Sequence, residues 1–268
     1  PIKNWVTTLE FNYKIKSADT NSSSLKTYNC DIYGNPVDKD KATTSVTEAR
    51  YLENYLNGNL RMNYSFTAGD GHNLAFMAGA QVENLMQKQT GITAYGLVSD
   101  ALPEIDLTTG LIWDSASSSW VKKDLSPYGN RNSWATAGFF GRINYDWKGR
   151  YLVEGNIRYD GTSRYRDNLR WNLYPSISLG WNIANEDFWA PYRRYMDLWK
   201  LRASYGSLGN QNTNGWYPTY STFAPSTNSG SWLQNGVKTT TIGVPAAITT
   251  ELTWEKVRSW NVGMDFGL

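Results

Sequence analysis

Three carboxylates, Asp146, Glu154 and Asp160, lie close together in the stretch "GRINYDWKGRYLVEGNIRYDG". A hydrolytic acid/base pair needs two carboxyls about 5–10 Å apart, one of them with a raised pKa. The same stretch carries Arg142 and Arg158. Arginines on adjoining strands offer those carboxylates a cross-strand ionic partner instead. We therefore expect Arg142, Asp146, Glu154 and Arg158 to form a charge ladder, with no catalytic residue among them. His72 is the only histidine, which rules out a His-rich metal site and argues against a His-based triad. It follows Gly69-Asp70-Gly71 and reads as an exposed turn residue. That G-x-G is followed by Leu74 where a third glycine would be needed, and by no helix, so a dinucleotide fingerprint fails. Asp38-Lys39-Asp40 lacks the glycine and the distal glutamate of a calcium loop and reads as a solvated loop. No metal or cofactor is expected.

A second kind of chemistry, ligand stacking, is open to the aromatic loop "NGWYPTYSTFAPSTNSGSW". Trp216, Tyr217, Tyr220, Phe223 and Trp232 lie there among Ser, Thr, Asn and Gly. Rings of this kind stack on sugar faces while amides and hydroxyls bond the rim, and a peptide would fit as well. The competing reading is packing of the loop against its neighbours or a partner, since apolar loop rings more often pack than bind.

The elements that must hold these residues alternate with period two, the mark of a strand whose successive side chains point to opposite faces. Gly141, Ile143, Tyr145 and Trp147 oppose Arg142, Asn144 and Asp146. After the Lys148-Gly149 break, Tyr151, Val153, Gly155, Ile157 and Tyr159 oppose Leu152, Glu154, Asn156, Arg158 and Asp160. The pattern recurs at residues 5–16, 60–68, 74–83, 171–183, 201–205 and 260–268. This predicts about eight strands of roughly 9–13 residues, close to the length that crosses a bilayer at a tilt. Long connections (17–50, 84–135, 207–252) trade with short ones (69–72, 148–149), a moderate loop at 161–169 and a compact helical connector at 184–199. In that connector Asn185 is the expected N-cap, followed by two acids.

Composition narrows the solvent. The net charge of +2 and the absence of a basic run argue against a nucleic-acid partner. Aromatic residues make up 15% of the 268-residue chain although its mean hydropathy is negative, which points to exposed rings. No apolar run is long enough for a transmembrane helix, but β-barrel strands leave only a weak hydropathy signal. The lone Cys30 forms no internal disulfide. One parity of every strand lacks charge apart from its fringes, and an Arg or Lys on a lipid face costs about 2–4 kcal/mol at midplane. The charged parity must then face a lumen, with Tyr145, Trp147, Tyr151, Trp181, Tyr205 and Trp260 as interfacial girdles. An open sheet in lipid leaves edge groups unsatisfied at several kcal/mol each. The strands therefore either close on themselves or are completed by others. Two other readings stay open: a small self-closed outer-membrane barrel with a structural or adhesive role, and a secreted all-β glycan-binding module.

"GRINYDWKGRYLVEGNIRYDGTSRY", "RWNLYPSISLGWNIANEDFW", "LWKLRASYGSLGNQN" and "LTWEKVRSWNVGMDFGL" closely resemble the SusC/RagA family of TonB-linked outer-membrane transporters of Bacteroidota. The likeness runs over residues 136–268 and more loosely over 59–110. It implies a plugged antiparallel barrel of about 22 strands. It also implies a SusD-like surface lipoprotein as lid, import of glycan or peptide fragments, outer-membrane lipid around the wall, and TonB pulling on the plug. No plug, N-terminal extension, TonB box or aromatic-ended last strand is found in 1–268. The expectation is a partial β-barrel domain of about eight strands.

Overall fold

The computed structural model describes residues 3–27, 29–37, 43–213, 215–223, 225–226 and 232–267; Asp38-Lys39-Asp40 and Leu268 lie outside them. Eight long strands form one sheet, and each neighbours the next in chain order. They are β1 (Trp5–Ser24), β2 (Ser45–Ala68), β3 (His72–Tyr95), β4 (Ser126–Trp147), β5 (Tyr151–Thr162), β6 (Trp171–Asn182), β7 (Leu198–Asn210) and β8 (Glu255–Gly267). No described helix is long and apolar enough to cross a membrane.

The expected strand number is right, but the first four strands are longer than expected, at 20–24 residues. The extra length of β1, "SADTNSSS", is exposed on both faces, whereas those of β2 and β3 are half-buried around Val46 and Ala94. Water on both sides erases the alternation that marks a strand. The connections shrink accordingly and carry small two-stranded ribbons, Asn29–Cys30 with Pro36–Val37 and Leu111–Asp114 with Ser119–Lys122. Cys30 is exposed in the first of these.

The chain forms two compact units. One comprises Tyr13–Tyr55 and Leu85–Ser133, with a small core of Val46, Ala94 and Leu97 under Ile105. In it the Thr44 hydroxyl accepts the Leu97 amide at 2.7 Å. The other comprises Pro1–Asn12, Leu56–Asn84 and Trp134–Leu268, and it holds every functional candidate.

In that second unit the register puts like with like. Ile143, Gly155, Ile177, Tyr205 and Trp260 form one cross-strand row, and Asn144, Glu154, Ser178, Ser204 and Asn261 the next. Two aromatic belts border the apolar face. On the turn side Trp147, Tyr151 and Trp181 stack in sequence at 5.7 and 6.5 Å, nearly parallel. On the loop side Tyr159 and Phe139 flank Trp171 at 4.9 and 6.2 Å. Tyr151 and Tyr159 are eight residues apart on β5. That is about 26 Å along the strand and about 20 Å across a bilayer at the usual tilt, close to the height of an outer-membrane apolar band.

Among the described residues β1 and β8 are the outer strands of the sheet and do not pair with each other. The sheet is open, so these eight strands are not a self-closed barrel. Two edges in lipid would leave backbone groups unsatisfied, and further strands must complete the wall.

The connector after β6 is two 3-10 turns, Ile183–Asn185 and Asp187–Tyr192, the second containing Pro191. Asn185 does not cap it. Its Nδ2 donates to the Gly149 carbonyl at 2.9 Å instead, because the Lys148-Gly149 turn, with φ of 53° and 67°, presents that oxygen. Such a pair of positive φ values is what a two-residue hairpin turn demands.

Candidate functional site

The polar parity of β1 to β5 forms a hydrogen-bonded wall. Arg142 Nε donates to Asn156 Oδ1 at 2.6 Å, and Asn156 Nδ2 donates on to Glu154 Oε1 at 2.8 Å. Arg158 makes two bonds to Asp160, 3.1 and 2.9 Å long. Glu83 Oε1 accepts from Asn57 and Gln81 at 3.1 and 3.0 Å. Glu10 accepts from Arg61 at 2.7 Å and from Asn59 at 3.4 Å.

The pairing within this wall differs from the sequence expectation. Register puts Arg142 opposite Asn156 and Glu154 opposite Asn144, so Arg142 and Glu154 meet only through the Asn156 amide. Arg158 lies opposite Phe140 and turns along its own strand to Asp160. Asp146 closes the tight turn, accepting the Gly149 amide at 2.6 Å and Asn73 Nδ2 at 3.4 Å.

His72 is not a free turn residue. Its Nδ1 shares a hydrogen bond with the Tyr145 hydroxyl at 2.8 Å, and its ring stacks on Tyr145 and Trp147, each at 6.0 Å. The belt half-buries it because β3 starts directly beside the end of β4. Asp70 meets Lys148 Nζ at 2.8 Å, and that hydrogen bond holds the Asp70 carboxyl below the usual carboxylate range. At the next turn Arg150 pairs with Glu186 at 3.4 Å and Asp187 at 2.5 Å. The Trp181 indole donates to Glu186 at 3.0 Å.

The aromatic loop divides into two parts. Tyr217 and Tyr220 meet edge-on at 5.9 Å, the Tyr217 hydroxyl bonds Ser163 Oγ at 3.1 Å, and Arg166 lies over the Tyr220 ring at 5.8 Å. Between the two rings Thr219 is fully buried, with its hydroxyl donating to the Arg164 carbonyl at 3.3 Å and its carbonyl accepting Arg166 Nε at 3.2 Å. This half packs on the 163–170 loop. Trp216 is half-buried, whereas Phe223 and Trp232 are exposed.

The loops rest on a small core of Tyr165, Tyr174 and Trp254, flanked by Leu169 and Leu252. Trp254 Nε1 donates to the Arg170 carbonyl at 2.8 Å and Thr253 Oγ1 to the Leu169 carbonyl at 3.1 Å. Burial pushes the Tyr165 hydroxyl's pKa up. The sequence reading missed this core. The available signal was Tyr174, an aromatic ring on the polar parity of β6. Pairing of β7 with β6 stops at Gly206, and β7 continues along β8 to Asn210.

A family model described as "TonB dependent receptor-like, beta-barrel" matches residues 2–268. The chain belongs to this family. It is 34% identical over 148 residues, 54% of its length, to the TonB-dependent receptor SusC of Bacteroides thetaiotaomicron. It is 29% identical over 204 residues, 75% of its length, to the TonB-dependent receptor P26 of Formosa agariphila. The whole chain also superposes on a solved "Structure of the RagAB peptide importer in the 'closed-closed' state" at TM-score 0.79 and 21% identity. These matches cover 14%, 19% and 26% of the respective proteins, so the chain spans well under a third of each. As a TonB-dependent receptor barrel section it is an outer-membrane β-barrel segment.

Proposed function

We propose that residues 1–268 are a section of the barrel wall of a TonB-dependent importer that takes up glycan or peptide fragments across the outer membrane. The observation that carries this is the wall itself: a continuous polar, hydrogen-bonded face behind an apolar belted face, in a sheet whose two edges require further strands. The missing strands, the plug and any N-terminal extension would come from chain beyond these residues. TonB would act through that plug, and a SusD-like surface lipoprotein would cover the loop side. The carboxylates of the wall serve as hydrogen-bond acceptors, so the protein moves its substrate without chemical change. The exposed Trp232 and the half-buried Trp216 are the loop rings assigned to substrate, with Tyr217 and Tyr220 holding the loop in shape. Arg142, Glu154 and Arg158 line the passage, and Asp146 fixes its turn.

The test is uptake by cells making the full-length protein, given labelled oligosaccharide and peptide pools, with and without TonB. Uptake of one pool that disappears when either the receptor or TonB is deleted supports import. Uptake indifferent to both deletions refutes it. Trp216→Ala and Trp232→Ala variants that keep wild-type affinity and uptake would remove the loop rings from the substrate path.

A further inference from the structure

On the polar face, between β3 to β7 and the loop core, lies a cavity of about 540 Å³ whose lining takes in Arg158 of the expected charge ladder. Tyr174 lines it at only 5% exposure, and its hydroxyl has no hydrogen-bond partner. The Gln211 Oε1 on the same wall is also buried and without a partner. Glu83, a third lining residue, spends Oε1 on Asn57 and Gln81; its Oε2 has no protein donor among the described residues. Buried polar groups are ordinarily hydrogen-bonded, and one left unmade costs free energy. The Tyr174 hydroxyl and Gln211 Oε1 are two such atoms lining one space, and they point to a ligand that supplies their bonds.

Close approach keeps the space in this form. A Cβ at position 209 would lie 2.1 Å from the Tyr174 ring, and one at 138 would lie 2.2 Å from Asp160 Oδ1. Glycine at both positions lets the phenol and the carboxylate sit where they do.

We propose that this cavity is a subsite for a neutral, polyhydroxylated ligand, a saccharide unit of the imported fragment. The assignment rests on the import reading above and narrows it from glycan or peptide to glycan. The Tyr174 hydroxyl needs an acceptor, whereas Gln211 Oε1 needs a donor. Neighbouring sugar hydroxyls give both from each oxygen. An anionic group finds no welcome, because Arg158 is bound twice to Asp160 and Glu83 adds an uncompensated carboxylate. A peptide amide gives its donor and its acceptor from separate atoms, whereas each sugar hydroxyl gives both.

The experiment uses the full-length receptor, purified in detergent with its native partner. The probes are an array of neutral oligosaccharides, a matching array of uronate and sulfated oligosaccharides, and a mixed-sequence peptide pool. The expected result is binding of a neutral oligosaccharide whose Kd rises about 3- to 10-fold in Tyr174→Phe, the loss of one hydrogen bond. Gly209→Ala, which keeps the phenol but displaces it, should weaken binding similarly. Heat-dependent gel mobility checks that both variants fold. Should Gly209→Ala misfold, Tyr174→Phe decides alone. Preference for anionic saccharides or peptides, or a Kd unchanged in Tyr174→Phe, overturns the subsite while TonB-dependent uptake continues. Loss of the import reading would show separately, as wild-type uptake indifferent to TonB.

Discussion

Replacing Ile177 with arginine asks directly which face of the sheet meets lipid. Ile177 lies on β6 between Trp171 and Trp181, opposite Gly155 on β5 and Tyr205 on β7. It is 46% exposed in the isolated chain. At about 3.3 Å per residue and a tilt of roughly 40°, it sits about 10 Å above Trp181 and about 15 Å below Trp171. That is close to midplane, where a lipid-facing Arg costs about 2–4 kcal/mol, a shift of about 30- to 700-fold in the folding equilibrium. The next residue, Ser178, is the control, because its side chain points the other way. There an arginine would stand between Glu154 and Ser204, gain a carboxylate neighbour in a wet environment, and change stability by less than about 1 kcal/mol. The assay is urea unfolding of the full-length protein from phosphatidylcholine vesicles, followed by tryptophan fluorescence and heat-dependent gel mobility. Equal costs for Ile177→Arg and Ser178→Arg, or a larger cost for Ser178→Arg, would refute the assignment of faces and the membrane reading built on it.

Trp254→Ala removes the centre of the loop core and its bond to the Arg170 carbonyl. A cost of about 3–5 kcal/mol is expected, seen as early proteolytic cleavage in 163–170 and 211–223 while the strands stay protected. Glu186 is held below the ordinary carboxylate range, first by the Trp181 indole, then by the Tyr151 hydroxyl, with Arg150 adding to both. A depressed carboxyl stabilises the fold above its unfolded pKa of about 4.5, and that support is lost as pH falls through the folded value. Glu186→Gln should therefore lower stability at pH 7 and flatten the loss of stability below pH 4.5; an unchanged acid limb would remove Glu186 from the turn-side lock. Lys148→Ala, which breaks the contact with Asp70 at 2.8 Å between exposed groups, should leave the midpoint of the same unfolding assay nearly unchanged.

What the sequence reveals depends on how unlike the two sides of a strand are. Between the belts one face meets lipid and the other a polar passage, so Ile143, Gly155, Ile177 and Tyr205 can be placed by parity alone. The Lys148-Gly149 turn is equally legible, because its positive φ values demand those residue types. In "SADTNSSS" both faces meet water, so no alternation marks the strand and β1 reads as a loop. Side-chain pairing is a third level again. Parity puts Arg142, Glu154 and Arg158 on one face, but a two-residue choice of register, which keeps every face, decides whether Arg142 meets Glu154 or Asn156, and nothing local in the sequence fixes it. His72 goes astray for a related reason: its neighbours in the chain are turn glycines, while its neighbours in space are Tyr145 and Trp147. Tyr174 is the instructive exception. A ring on the charged parity of a lumen strand breaks the pattern in plain view, and in the fold it holds the loops in place and leaves its hydroxyl unpartnered. In a sheet whose faces are set by solvent, a residue on the wrong side is the sequence's best pointer to a site.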